Sequence, residues 1–250
     1  MATIKYQELS PPQKISEFVE RFWMLENDST EGKELVVIPD GRVDIFFTCS
    51  ASEPFHILLM GLEAQPAKRI LKAKTKIFAI SLNLLAIEYL LKEKIADFIN
   101  EAKPLPIGFW GILEEDLADF DSFCAKATAA IGDQVNFKID NRKRKLFELI
   151  YSSSGAYSVE NLSKSVFWNS RQINRYFSQV FGMPLKTYCN ILRFKASLSH
   201  LKNGTLYPEN DFSDQAHFIK NVKKFAGVVP TELSKNKNDR FIQLSVLPKP

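Results

Sequence analysis

The stretch DFSDQAHFIKNVKKF, residues 211–225, joins a capping residue, an apolar stripe and a second stripe of amide, imidazole and ammonium groups. Phe218, Val222 and Phe225 recur at steps of four and three, the spacing of one buried helix face. Asp214 is the expected N-cap, and Ser213 just before it could also serve. Gln215 opens the helix, Ala216, Lys220, Lys223 and Lys224 fall on the outer face, and His217 lies beside them.

The same design stands 45 residues earlier, in NSRQINRYFSQVF, residues 169–181. At that offset Ile173 corresponds to Phe218, Arg175 to Lys220, Phe177 to Val222, Gly182 to Gly227 and Tyr188 to Leu233. Ile173, Tyr176, Phe177, Val180 and Phe181 fill one face, while Arg171, Arg175 and Ser178 point the opposite way with Asn174 and Gln179 at the flanks. Asn169 is the expected N-cap, and Gln172 three residues on makes a capping-box pattern. Ahead of it, SVENLSKSVFW (158–168) reads as a short helix capped by Ser158, with Val159, Leu162 and Val166 on its apolar side. A short helix, a tight turn and an amphipathic second helix form a helix-turn-helix, whose second helix enters a major groove. The residue types suit that place: Arg grips guanine O6 and N7, Asn and Gln pair with adenine, and Lys neutralises phosphate. The same shape also serves as a protein-interaction module in chains that do not read DNA, and that alternative stays open.

Charge supports a polyanion partner. Residues 1–140 hold 15 Lys and Arg against 22 Asp and Glu, a balance of −7, and residues 141–250 hold 18 against 7, a balance of +11. An acidic half and a basic half imply two domains, the basic one facing nucleic acid. Cys49, Cys124 and Cys189 are odd in number and far apart, so no disulfide framework is expected and a reducing cytoplasm is. Neither a secretory leader nor an apolar run of membrane-spanning length is visible. The three histidines lie near no recognisable nucleophile or carboxylate motif, and no glycine-rich phosphate loop occurs, so no enzyme, catalytic residue or cofactor is expected. Asp40 and Asp44 flank a turn and read as a turn former and a strand-edge charge. His56 reads as a packed or edge histidine, since no second His stands at ligand spacing, and no metal is expected.

In the acidic half, ELVVIPDGRVDIFFTC (34–49) carries two β-rich runs around Pro39-Asp40-Gly41 and predicts a hairpin. FHILLMG (55–61) and KIFAISL (76–82) predict further strands, giving a small sheet or barrel over residues 5–82. LLAIEYLLKEKIADFI (84–99) predicts one helix, and Leu113, Leu117, Phe120, Cys124, Ala127 and Ile131 predict another over 112–131. That second stripe either lies on the chain's own sheet or forms a dimer seam. The charge run and Ser-Gly cluster in NFKIDNRKRKLFELIYSSSGAYS (136–158) set a boundary near 134–145, with a helix over about 142–152. The tail NKNDRFIQLSVLPKP (236–250) ends in a strand-like run that could dock on the first domain.

FSDQAHFIKNVKKFAGVVPTEL (212–233), RQINRYFSQVFGMPLKTY (171–188) and ILRFKASLSHL (191–201) resemble the DNA-binding domain of the AraC family of bacterial transcription regulators, over residues 142–237. Phe212, Asp214, Gln215, Phe218, Gly227 and Pro230 fall at that family's spacing. The resemblance implies two helix-turn-helix units joined by a long helix from Leu185 to about Leu201, holding the reading helices one DNA turn apart. It puts base contacts on Arg171, Asn174 and Arg175, and on Gln215, Ala216 and Lys220. VIPDGRVDIFF (37–47) resembles the cupin-like sensor domain of some relatives, which implies a small-molecule effector with no assignable contact residue, a homodimer and RNA polymerase as a further partner. The implied fold is α+β in two domains: a cupin-like β-barrel or sheet with helices over 1–138, an all-α double helix-turn-helix over 139–238, and a tail over 239–250. One departure weakens the second unit. Where the family has a supporting helix and a glycine, this chain has NGTLYPENDF (203–212), in which Pro208 limits any helix to about one turn over Thr205–Glu209 and Asp211 replaces the glycine. Ala216 offers no hydrogen bond, so the first unit is expected to read bases and the second to add affinity through Lys220, Lys223 and Lys224.

Overall fold

The computed structural model describes residues 4–206 and 214–247. Strands and helices follow in the order β1 (Ile4–Leu9), β2 (Val19–Asn27), β3 (Lys33–Val37), β4 (Val43–Cys49), β5 (His56–Met60), β6 (Ala67–Leu71), β7 (Thr75–Leu82), α1 (Leu84–Tyr89), β8 (Ala102–Leu105), α2 (Phe120–Gln134), α3 (Asn141–Ser152), α4 (Val159–Val166), α5 (Ser170–Phe181), α6 (Leu185–Lys202), α7 (Gln215–Ala226), α8 (Pro230–Lys235) and α9 (Ile242–Ser245). They form two compact units that do not follow chain order. One holds the chain up to Lys33, Arg42–Gly61 and Ile70–Ile139; the other holds Glu34–Gly41, Leu62–Arg69 and everything from Asp140 onward.

The first unit is an antiparallel sheet in the order β1-β2-β7-β4-β5-β8. It is open, with β1 and β8 as its edges, so the expected barrel does not close. The expected hairpin is absent too: β3 pairs with β6, and β4 pairs with β5 and β7. On one sheet face Phe47 and Phe78 stand among buried aliphatic residues, with Phe123 of α2 edge-on to each at 5.3 Å.

Both helix predictions in this unit ran too long. The 84–99 segment is α-helical only over Leu84–Tyr89, since Lys92 turns left-handed at φ 53, and a single 3-10 turn follows at Ala96–Phe98. The 112–131 stripe crosses a break: the Asp116 carboxylate closes a separate turn on the Leu113 amide, and Asp119 then caps α2 through the Ser122 amide. Phe120, Cys124, Ala127 and Ile131 are buried within the chain, so this stripe lies on its own sheet and supplies no dimer seam.

In the second unit, Asp140 caps α3, Ser158 caps α4 through the Asn161 amide, and α6 lies against α5, α7, α8 and α9. The unit is not all-α, since Glu34–Gly41 and Leu62–Arg69 belong to it. The fully buried Tyr188 of α6 donates its hydroxyl to the Gly41 carbonyl at 3.0 Å. A β-carbon on Gly41, at φ 76, would come within 2.8 Å of Leu192, so the residue read as a hairpin turn is a close approach of backbone to helix. Among its described residues the tail carries the one-turn helix α9 rather than a strand. Phe241 and Leu244 are buried three apart, Phe241 bridges Val36, and Gln243 exchanges two hydrogen bonds with Ile38. The supporting helix expected over Thr205–Glu209 falls mostly outside the described residues, and Thr205 and Leu206 are not helical.

Replacing Phe123 with Ala should cost about 3–5 kcal/mol of unfolding free energy in urea, the price of a cavity among packed aromatics. A loss below about 1 kcal/mol would remove α2 from the core of this unit.

Candidate nucleic-acid interface

Two helices of 12 residues carry the candidate site, and they match end for end at the 45-residue offset. The Asn169 side chain accepts from the Gln172 amide at 2.9 Å and starts α5; the Asp214 side chain accepts from the His217 amide at 2.7 Å and starts α7. Each helix stops at a left-handed glycine, Gly182 at φ 74 and Gly227 at φ 74, whose amides donate back to Ser178 and Lys223.

These boundaries fix what faces inward. Ile173, Tyr176, Phe177 and Phe181 of α5 are buried, with Phe177 5.7 Å from the Tyr188 ring of α6. Phe218, Val222 and Phe225 of α7 are buried, with Phe225 5.5 Å from Phe194, also of α6. One helix therefore backs both copies.

The outward residues divide as follows. On α5, Arg171, Gln172 and Arg175 are exposed. Asn174 is half-buried and donates one amide N–H to the Ser170 carbonyl at 3.0 Å, which occupies one of its two donors. On α7, Gln215, Ala216, Lys220, Lys223 and Lys224 are exposed and His217 is half-buried. The Lys224 ammonium rests 5.0 Å from the Phe225 ring.

The structure adds residues that the charge run at 142–145 signalled without placing. The Arg142 guanidinium lies 5.7 Å from the Trp168 ring, and the Lys143 ammonium lies 4.7 Å from the Tyr176 ring of α5. Arg142 also forks onto Asp140, and that pairing pulls the Asp140 carboxyl down to about 2. The start of α3 is thereby held beside the turn that leads into α5. The cysteines are poorly placed for thiolate chemistry: burial pushes Cys124 and Cys189 up to about 12 and raises Cys49 as well. His56 sets its Nδ1 against the Pro54 carbonyl at 2.8 Å, and among the described residues no three His, Cys, Asp or Glu side chains gather as a metal site. Among the described residues no helix is long and apolar enough to cross a membrane.

A family model described as a domain of unknown function, DUF6597, matches residues 7–104, which run from β1 through most of β8. No curated protein matches the chain. Among solved structures, an apo variant of ToxT from Vibrio cholerae strain SCE256 is similar at TM-score 0.45 and 10% identity, covering 91% of this chain and 99% of that one. ToxT from Vibrio cholerae O395 bound to a methylnaphthalenyl butenoic acid is similar at TM-score 0.43 and 12% identity, covering 98% of this chain and 100% of that one. These scores mark a loose likeness.

Replacing Lys223 and Lys224 together with Ala should weaken binding to all duplex sequences alike and flatten the dependence of log affinity on log salt by about one unit for each lost phosphate contact. An unchanged slope would take both lysines out of the interface.

Proposed function

We propose that the chain is a sequence-specific DNA-binding transcription regulator on the AraC plan. The observation that carries this reading is the repetition: α5 and α7 have equal lengths, equivalent caps and basic outer faces, and both are backed by α6. A fold preserved for its own core has no need to duplicate a cationic, amide-rich outer face, whereas a ligand that repeats its geometry every helical turn does.

In this reading residues 139–238 bind DNA, residues 34–41 and 62–69 brace that unit, and the remainder of residues 1–138 forms the sensor domain, on which a small-molecule effector acts. Arg171 and Arg175 are the base readers of the first copy, with Gln172 and Asn174 beside them. Gln215, Ala216, His217, Lys220, Lys223 and Lys224 form the second contact surface. Its lysines grip phosphate rather than base edges, since Ala216 has no polar group and ammonium is a point charge.

Selection of random duplex DNA on the purified chain tests the proposal. A sequence motif should emerge from the intact protein and collapse when Arg171 and Arg175 are both replaced by Ala, each loss costing about 1–3 kcal/mol on the preferred site. No enrichment at low salt would overturn the reading and leave the helix-turn-helix as a protein-interaction module. Equal losses on every sequence would reassign the two arginines to phosphate.

A further inference from the structure

Phe167 ends α4 in the left-handed region, at φ 52 and ψ 40, and it is 93% exposed. Left-handed backbone strains any residue that carries a β-carbon, and a phenyl ring in water forgoes the burial that ordinarily places it in a core. The chain uses glycine for the same task where α5 and α7 end, at Gly182 and Gly227. Nor is Phe167 a core residue that missed its place. Its neighbour Trp168 is the aromatic that packs, 5.3 Å from Tyr176 and under Arg142. Backbone strain and solvent exposure thus coincide in one side chain, two residues before the Asn169 cap of α5.

The surroundings indicate what that side chain meets. Arg142, Arg144 and Lys145 at the start of α3 are exposed, with Arg142 forked onto Asp140 and Lys145 paired with Glu148, so the start of α3 still carries more cations than carboxylates; Arg171 on α5 is exposed too, and the Lys143 ammonium lies over Tyr176. Such a surface draws a polyanion and repels a basic partner. We infer that Phe167 is a DNA contact, packing its ring on the deoxyribose edge of the strand that borders the groove entered by α5, while the neighbouring cations hold that strand's phosphates. This inference rests on the DNA-binding reading above and adds to it an apolar, sequence-independent contact from the turn.

The test compares the full-length wild type with the Phe167→Gly and Phe167→Tyr variants, binding a mixed-sequence duplex over a salt series, with a thermal melt of each protein. The glycine variant should melt higher, because strain is relieved, yet bind about tenfold more weakly with an unchanged salt slope, since the lost contact is apolar. The tyrosine variant, which keeps the ring, should bind like the wild type. Wild-type affinity in the glycine variant would overturn the inference alone, and a simultaneous fall in transcriptional output would point to a protein surface instead. A lower melting temperature with equal binding losses in both variants would overturn it in favour of a structural role. A wild type that binds no duplex would remove the DNA reading itself, and this contact with it.

Discussion

Everything proposed for the second unit depends on α6 serving as a common floor for two helices that have no core of their own. Tyr188 meets Phe177 of α5, and Phe194 meets Phe225 of α7, so the two copies share one row of buried side chains. An amphipathic helix of three turns is marginal in water without such a partner. The floor is itself pinned, because the Tyr188 hydroxyl donates to the carbonyl of Gly41, whose left-handed backbone and contact with the Leu192 side chain favour glycine. A residue from the first third of the chain thereby becomes part of the unit that carries the basic helices.

The copies share a frame and differ in chemistry. Both are framed by an Asx cap and a left-handed glycine, which fix length and rotation and so decide which residues face outward. The first copy turns out guanidinium groups, whose planar fork can recognise a base edge; the second turns out ammonium groups and an alanine. Contacts with phosphate position a protein on the duplex and contacts with bases specify the site, so this asymmetry suits one copy to anchoring and the other to reading.

The second unit was largely legible from sequence, because caps, left-handed glycines and period-3.6 stripes are local signals. Asn169, Asp214, Gly182 and Gly227 fix two helices without any knowledge of what lies around them. What was not legible depended on distant partners. The run at Glu34–Val37 has the same strand character whether it pairs with β4 or with β6, and only the tertiary arrangement selects β6. Leu113 and Leu117 continue the α2 stripe in sequence although Asp119 interrupts the helix, since periodicity carries across a break that a single capping residue makes. At the interface, the charge run at 142–145 was visible as charge, but its place beside Trp168 and Tyr176 follows from the packing of α3 on α4 and of α4 on α5. The orientation of Asn174, turned back onto Ser170, has no sequence signal at all.

The most direct test of a reader-and-anchor pair on one floor is a hydroxyl-radical footprint of the intact protein on its selected duplex, combined with base substitution across the protected region. Two patches of backbone protection should appear one helical turn apart, with sensitivity to base identity confined to one of them. A single protected patch would contradict it, because α7 would then lie off the DNA and the repeated helix would have some other use.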